Sequence, residues 1–260
     1  MRIIFFYLFI SFFSITFCSG KDGDAVSYNG QKVRGFYVHI VQVNLNVSTI
    51  KITPAVVRGF SDSQGYYPAG SFSSFINYYK PTAAINGTFF DTITYKPVGT
   101  IVVGGKLVNN GYIGNAVCID RENQVTFHHV GGQQGSRIDW SPFEGVICSG
   151  PNLVTEGEII LNPASEGFKD PAVYSQNRRS AIGITAYNKL LLVTVESKIY
   201  LRTLAYIMKD LGCLYAVNLD GGTSSALYYK GKYLTYTSRS MSSVILVYGN
   251  RKKIKVKNFR

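Results

Sequence analysis

Short apolar runs separated by glycine and proline dominate the chain, and this pattern is typical of β-strands rather than of long helices. Stretches of β-branched and aromatic residues predict the first two strands at Val33–Leu45 and Ile50–Val57. Further single strands are predicted where the pattern returns: Thr82–Ile85, Asn115–Ile119, Val125–His129, Gly145–Cys148, Leu214–Leu219, Ser224–Tyr229 and Ser243–Tyr248.

Two pairs of apolar runs are separated by turn residues and predict β-hairpins. The first turns at Gly104-Gly105 and the second at Asn188-Lys189. The strands concerned are Gly99–Val103 with Lys106–Val108, and Ala181–Tyr187 with Leu190–Glu196.

Helical periodicity appears in two places only. Ser71–Tyr79 carries its apolar residues at helical spacing, and Ser71 is a suitable N-cap. Leu201–Leu211 has a continuous apolar stripe, and Gly212 ends it. With many strands, few helices and no regular alternation of the two, the chain is predicted to be α+β, with a mixed, mainly antiparallel β-sheet.

Residues 149–180 are rich in proline, glycine, asparagine and serine and have little periodicity. One short strand is predicted within them, at Glu158–Leu161. Because apolar strands resume directly on either side, we interpret the stretch as a functional loop or lid rather than as a linker.

The N-terminus has the pattern of a secretory signal peptide. Arg2 precedes the apolar run Ile3–Phe17, and small residues follow at Cys18-Ser19-Gly20. An exported protein, secreted or periplasmic, is therefore expected. An uncleaved anchor and a lipid anchor through Cys18 are the alternatives, and no membrane span is expected after signal removal. The predicted organisation is a signal peptide (1–20), a β-rich segment packed on the main domain (21–79), the main domain (80–248) and a basic tail (249–260).

Composition indicates a large core, since 19 Tyr and 16 Phe contribute to it. Cys118, Cys148 and Cys213 match no zinc spacing, and both a Cys118–Cys148 disulfide and three free buried thiols stay open. The net charge of +12 is concentrated in part in the tail. In an exported protein an anionic envelope glycan fits this charge better than a nucleic acid does, and a solvated terminal strand explains it equally well.

Several familiar catalytic patterns are missing. Gly99–Lys106 has Gly105 where a phosphate loop needs lysine, and no G-x-S-x-G elbow occurs. The histidines do not have metal-ligand spacing, although His128 or His129 stays open as a catalytic base.

Four polar segments follow or precede apolar strands: Asn86–Asp91, Cys148–Val154, Asn177–Ile184 and Asn218–Ser225. The third contains Arg178 and Arg179, and arginine is suited to bidentate contacts with phosphate. In the fourth, Asp220 follows a buried strand and precedes Gly221-Gly222. A carboxylate there is suited to act as base, nucleophile or cation ligand, while the freed backbone amides bind an oxyanion.

The order and spacing of these four segments over residues 80–248 resemble the phosphodiester glycosidase family, which contains the uncovering-enzyme-like domains. The matching residues are Asn86–Asp91, Ser149–Val154, Arg179–Gly183 and Asn218–Ser225. Two departures are small, because Thr88 and Thr223 stand where the family often has glycine. A third, Glu196-Ser197-Lys198 in place of Asp-Gly-Arg, bears on the substrate more than on the reaction.

The resemblance implies hydrolysis of a sugar-1-phosphodiester, similar to a GlcNAc-1-phosphodiester, at the anomeric carbon. The products are free sugar and a phosphate monoester. Asp220, Asp91 and Glu196, in that order, are the candidate catalytic carboxylates. Arg179 is expected to hold the phosphate. The full predicted substrate-binding set is Asn86, Gly87, Thr88, Gly150, Arg179, Asn218, Gly221, Gly222, Thr223, Ser224 and Ser225.

Three further possibilities accompany this reading. Asp220, Asp91 and Asn86 offer oxygen ligands to Ca²⁺ or Mg²⁺, although no dedicated cation loop is present. A non-catalytic protein that binds anionic cell-envelope glycans through Arg179 and the tail is the alternative function. A phosphodiesterase that attacks phosphorus is expected to need a metal cluster or a catalytic histidine.

Overall fold

The computed structural model describes residues 24–60, 65–111, 113–131 and 138–249. In chain order its strands are β1 (Val26–Val33), β2 (Phe36–Asn44), β3 (Lys51–Val56), β4 (Gly70–Ser71), β5 (Ala83–Asn86), β6 (Ile101–Val103), β7 (Lys106–Asn109), β8 (Asn115–Asp120), β9 (Val125–His129), β10 (Phe143–Ser149), β11 (Asn152–Thr155), β12 (Glu158–Ile159), β13 (Asn177–Thr185), β14 (Lys189–Ile199), β15 (Cys213–Asn218), β16 (Leu227–Tyr229), β17 (Lys232–Thr235), β18 (Ser240–Met241) and β19 (Ser243–Tyr248). The helices are α1 (Phe72–Tyr79), α2 (Pro171–Tyr174) and α3 (Leu201–Asp210).

The strands form three main sheets. The large sheet has the order β1-β2-β14-β13-β15-β11-β12. The second sheet has the order β17-β16-β5-β19-β3, and the third has the order β7-β6-β10-β8-β9. A short ladder joins β4 to β18. Every strand pair in the described residues is antiparallel, so the prediction of a mainly antiparallel protein with few helices is confirmed.

Both faces of the large sheet are covered, which explains why β14 reads as a continuous apolar run. Leu190 and Leu192 point into a core shared with the second and third sheets. Leu191 and Val193 point to the other face and pack in a core with α3. The large sheet is therefore the central layer of the molecule.

Helix α1 covers the outer face of the second sheet. Its Phe72, Phe75 and Ile76 are buried in a cluster with residues of β5 and β19. The Ser71 hydroxyl accepts a hydrogen bond from the Ser74 backbone N–H at 3.1 Å, so the predicted N-cap is confirmed.

Three sequence predictions about elements were wrong. Val33–Leu45 is not one strand. Val33 ends β1, Arg34 (φ 51°) and Gly35 (φ 83°) form a turn, and β2 follows from Phe36, so the segment spans the turn of a hairpin. Residues 149–180 contain β11 and α2 besides the predicted short strand, which is β12, and β11 lies inside the large sheet beside β15. The strand predicted from Ser224 begins only at Leu227, since Gly222–Ser224 form a 3-10 helix.

The three described cysteines, Cys118, Cys148 and Cys213, are buried free thiols, so the proposed Cys118–Cys148 disulfide is absent. Strands β2 and β3, which belong to the segment predicted at 21–79, pair with β14 and β19 of the main domain, and β1 pairs with β2. The predicted signal peptide, including Cys18, and residues 250–260 of the basic tail lie outside the described residues. Within the described part of the chain, no helix has the length and apolar character needed to cross a membrane.

Candidate active site

Asp220 lies where the chain crosses from the large sheet to the second sheet. The Leu219 N–H donates to the Ser180 carbonyl of β13 at 2.9 Å. The next N–H, that of Asp220, donates to the Gly87 carbonyl directly after β5 at 3.2 Å. The backbone that carries the carboxylate is therefore hydrogen-bonded both to the large sheet and to the residue that follows β5 of the second sheet.

Asn86 holds both ends of the loop that carries Asp220. Its side-chain Nδ2 donates to the Asp220 carbonyl at 2.7 Å, and its Oδ1 accepts from the Ala226 N–H at 3.1 Å. The residue is 1% exposed. Its amide thus acts on the protein itself, and the structure assigns it to shaping the loop.

Gly87 and Thr88 pack against the first residues of β19. A Cβ on Gly87 would lie 2.3 Å from the Ser243 Oγ and 2.7 Å from the Ser243 carbonyl oxygen, so only glycine fits. The buried Thr88 donates its hydroxyl to the Cys148 carbonyl at 2.6 Å. Both residues bring β5, β10 and β19 together beside the site.

The Gly150-Pro151 segment, whose peptide bond is cis, supports Asn218. The Asn218 Nδ2 donates to the Gly150 carbonyl at 2.8 Å, and its backbone N–H donates to the Pro151 carbonyl at 3.1 Å. The Asn218 Oδ1 is buried and has no hydrogen-bond partner in the described residues. The last residue of β15 is thereby tied to the start of β11.

The glycine turn itself is compact. The Gly221 N–H donates to the Asp220 Oδ1 at 2.8 Å, and the Ser224 N–H donates to the Gly221 carbonyl at 3.1 Å. Gly222 has a φ of 60°, the left-handed region that favours glycine. A Cβ on Gly221 would lie 2.9 Å from the Arg178 carbonyl oxygen. Both glycines are required by the shape of this turn.

The Asp220 carboxyl has an altered pKa, although the residue keeps part of its surface exposed. Burial is the main cause and raises its pKa from 3.8 to about 6. The Asp170 charge acts in the same direction. The neighbouring Ser224 hydroxyl, the hydrogen bond from the Gly221 N–H and the charge of Arg239 oppose the shift. A carboxyl with a pKa near neutrality is suited to proton transfer.

Arg179 is buried beside this turn, at 3% exposure. A Cβ on Gly221 would lie 3.9 Å from its Nη1. Its Nε donates to the Ile199 carbonyl at 3.2 Å, and its Nη2 donates to carbonyl oxygens in and after α2, those of Ala172, Val173 and Ser175. Burial lowers its pKa to about 10. It forms no salt bridge with any residue in the described ranges.

Two charged residues near Asp220 were missed from the sequence. Arg239 donates from Nη1 to the Thr223 Oγ1 at 3.1 Å. Asp170 N-caps α2 through a 2.8 Å bond from the Ala172 N–H. Asp170-Pro171 is a recognisable helix start, since proline is favoured at the first helical position. Arg239, in a polar run, has no comparable signal.

Asp91 and Glu196, the other predicted carboxylates, are exposed and have partners of their own. The Asp91 Oδ1 accepts the N–H groups of Ile93 and Thr94 at 3.0 and 2.7 Å, and these bonds lower its pKa. Glu196 lies 3.7 Å from Arg178 in a salt bridge. Neither has a recorded contact with Asp220 in the described part of the chain, and their catalytic role stays a prediction.

Ser224 and Ser225 are buried, as is Asn218, while Thr223 is exposed. The Ser225 hydroxyl has no hydrogen-bond partner among the described residues. His128 and His129 lie on the edge strand β9, where their rings contact Thr126 and Asn115 rather than the Asp220 turn.

Glu166 is a second buried acid that sequence analysis missed. Its carboxylate accepts the Asn152 N–H at 2.9 Å and the Asn115 side-chain amide at 2.8 Å. Burial raises its pKa from 4.5 to about 7, against the effect of these bonds. It holds the 160–170 loop against β8 and β11, close to Gly150.

Most of the side-chain oxygen atoms suggested as ligands for Ca²⁺ or Mg²⁺ already accept hydrogen bonds from the protein. Both polar atoms of Asn86 are hydrogen-bonded, and one Asp220 oxygen accepts from Gly221. No group of three His, Cys, Asp or Glu suitable for a metal ion exists among the described residues.

A shallow groove of about 590 Å³ lies apart from the four predicted segments. Residues of β12 and α3 line it together with Arg34, and none of these belongs to the segments around Asp220. The groove is therefore a separate surface feature.

The model of the phosphodiester glycosidase family matches residues 79–248 of this chain. No curated protein matches it. Among solved structures, the catalytic domain of zebrafish N-acetylglucosamine-1-phosphodiester α-N-acetylglucosaminidase, auto-inhibited by its pro-peptide, superposes with a TM-score of 0.67 at 22% identity, covering 86% of this chain and 82% of that one.

Two bacterial structures have the same fold. A hypothetical protein from Synechocystis has a TM-score of 0.74 at 17% identity and is matched over 85% of this chain. The chain spans only 61% of that protein. A Burkholderia pseudomallei protein described as a candidate for export has a TM-score of 0.64 at 15% identity, covering 82% of this chain and 74% of that one.

Proposed function

Because this chain belongs to the phosphodiester glycosidase family, we propose that it is an exported hydrolase that cleaves a sugar-1-phosphodiester at the anomeric carbon. The substrate we favour resembles a GlcNAc-1-phosphodiester, and the products are free sugar and a phosphate monoester. The observation that carries the proposal is the Asp220 carboxyl, with a pKa of about 6, in a glycine turn flanked by two arginines.

The charges around the turn fit an anionic substrate. Neither Arg179 nor Arg239 forms a salt bridge with a carboxylate of the described residues, so no such carboxylate neutralises their positive charges. A phosphodiester supplies the missing negative charge, and hydrogen bonds between charged partners are among the strongest in proteins.

In the proposed reaction Asp220 either attacks the anomeric carbon and forms a glycosyl ester that water then hydrolyses, or takes a proton from the water that attacks this carbon directly. The bond that breaks joins the anomeric carbon to a phosphate oxygen. A phosphate monoester leaves readily, so the reaction depends less on a general acid than ordinary glycoside hydrolysis does. This leaves the carboxylate that stabilises the oxocarbenium-like transition state as the main requirement.

The test is hydrolysis of the methyl diester of GlcNAc-1-phosphate in H₂¹⁸O, followed by mass spectrometry of the phosphate product. Attack at carbon yields GlcNAc and an unlabelled methyl phosphate. Attack at phosphorus labels the phosphate and would replace the glycosidase by a phosphodiesterase. Binding without turnover, across several sugar-1-phosphodiesters, would instead support the glycan-binding alternative. The anomer first released, read by NMR, separates a nucleophile from a base.

A further inference from the structure

The two arginines beside the Asp220 turn use their guanidinium groups differently. Arg179 is buried, and its Nε and Nη2 donate to four backbone carbonyls. Arg239 is only half-buried, and a single side-chain donation, from Nη1 to Thr223, links it to the described residues. Since a guanidinium has five N–H groups, most of those of Arg239 are left for a ligand.

Arg239 is also held in place. The Thr237 hydroxyl accepts the Arg239 backbone N–H at 3.0 Å and donates to the Thr223 carbonyl. The guanidinium carbon lies 5.3 Å from the centre of the Phe90 ring, a distance typical of cation–π contact. The side chain is thus positioned before any substrate binds.

We propose that Arg239, rather than Arg179, contacts the phosphate of the substrate, and that Arg179 is a positioning residue that fixes the turn and α2. This inference rests on the proposed function, because it assumes a sugar-phosphate ligand at Asp220. Arg239 and Thr223 then form the part of the site that selects phosphodiesters over uncharged glycosides.

The position of Arg239 suits this role. Thr223 is three residues from Asp220 and exposed, so a phosphate between Arg239 and the turn lies next to the carboxylate. The arginine offers two parallel donors to two phosphate oxygens, a geometry that lysine does not reproduce. An uncharged leaving group gains nothing from these donors.

The experiment compares Arg239→Ala and Arg239→Lys with the wild type on two substrates. One is the methyl diester of GlcNAc-1-phosphate, and the other is the uncharged 4-nitrophenyl α-GlcNAc. Loss of a charge-assisted contact is expected to reduce kcat/KM for the diester by about 10- to 100-fold. The aryl glycoside should change by less than about threefold. Arg239→Lys should recover part of the loss. Arg121→Ala, at an exposed arginine of the β8–β9 turn, is the matched control.

Calorimetric binding of GlcNAc-1-phosphate provides a readout that needs no turnover. The wild type should bind it, and Arg239→Ala should bind it at least about tenfold more weakly at an unchanged melting temperature. Equal losses on both substrates, or unchanged binding by Arg239→Ala, would overturn the assignment. An inactive wild type that still shows this difference in binding would count against the proposed hydrolysis and for the phosphate contact.

Discussion

The side-chain amide of Asn86 donates to the backbone carbonyl of Asp220 across 2.7 Å, so a residue of one sheet fixes the catalytic candidate that arrives from another. The same side chain accepts from Ala226 at the far end of the loop. Both polar atoms of the side chain are thus engaged within the protein, and the predicted contact of Asn86 with a substrate hydroxyl stays a prediction.

Replacing Asn86 by alanine should destabilise the protein by about 2–4 kcal/mol, because two buried backbone groups lose their partners. Urea denaturation measures this loss. Asn46→Ala, at an exposed turn residue, is the control and should cost well under about 1 kcal/mol. An Asn86→Ala variant as stable as the wild type would show that the loop does not depend on this amide.

Asp220→Asn should lower turnover of a sugar-1-phosphodiester by about 100-fold or more, as expected for loss of a proton-transfer or nucleophilic group. Asp139→Asn, at an exposed turn carboxylate bonded to Ser141, should keep full activity. In the wild type, activity should rise as the pH increases through about 6, where the carboxyl ionises. A folded Asp220→Asn variant with normal rates would remove this residue from catalysis.

The raised pKa of Asp220 also predicts how Asp220→Asn changes the stability of the protein with pH. Because the pKa of Asp220 is higher in the folded protein than in the unfolded chain, its contribution to stability is present below pH 3.8 and is lost as the pH rises through about 6. Asp220→Asn should therefore melt higher than the wild type at pH 8, and this advantage should disappear near pH 4. Calorimetry at both values tests the sign.

Glu166→Gln tests the second buried acid. The pKa of Glu166 is raised from 4.5 to about 7, so the wild type loses stability as the pH rises through this window. The variant should gain a few degrees in melting temperature relative to the wild type between pH 5 and pH 8. Glu158 is an exposed partner of Lys209, and the melting temperature of Glu158→Gln should differ from that of the wild type by the same amount at both pH values. If the melting temperatures of Glu166→Gln and the wild type changed in parallel with pH, the raised pKa of Glu166 would be contradicted.

Arg179→Lys should loosen α2, since lysine cannot reach the carbonyls that the guanidinium bridges. Hydrogen exchange of residues 172–175 should accelerate, and stability should fall by about 2 kcal/mol. Arg178→Lys is the matched control, because the partners of Arg178, Glu196 and the Tyr236 carbonyl, lie near the surface. Unchanged exchange in Arg179→Lys would leave this arginine free for the substrate.

Features that depend on a short stretch of sequence, such as strand ends, turns and helix caps, were predicted from that stretch. Asp220 was found because an apolar strand runs directly into a glycine turn, and α1 because Ser71 caps an amphipathic stretch. The β1–β2 hairpin was missed because its turn places Arg34, a non-glycine residue, in the left-handed region.

The surroundings of the carboxylate were less predictable. Asp170 lies 50 residues before Asp220 and Arg239 lies 19 residues after it, and the fold brings both charges close to the carboxyl group. Their spacing in the sequence carries no trace of this proximity. Asp91 and Glu196, by contrast, stood in suggestive motifs but are engaged in an exposed turn and a salt bridge.

Because Leu219 and Asp220 are hydrogen-bonded to two different sheets, the position of the Asp220 carboxylate depends on how closely those sheets pack against each other. A slight separation of the two sheets at this point would displace the carboxylate, the proposed reactive group, before either sheet unfolds. Inactivation by heat or urea should then precede the loss of β-structure. A ligand bound at the Asp220 turn would oppose the separation, and the melting temperature should keep rising with the logarithm of the ligand concentration above its Kd.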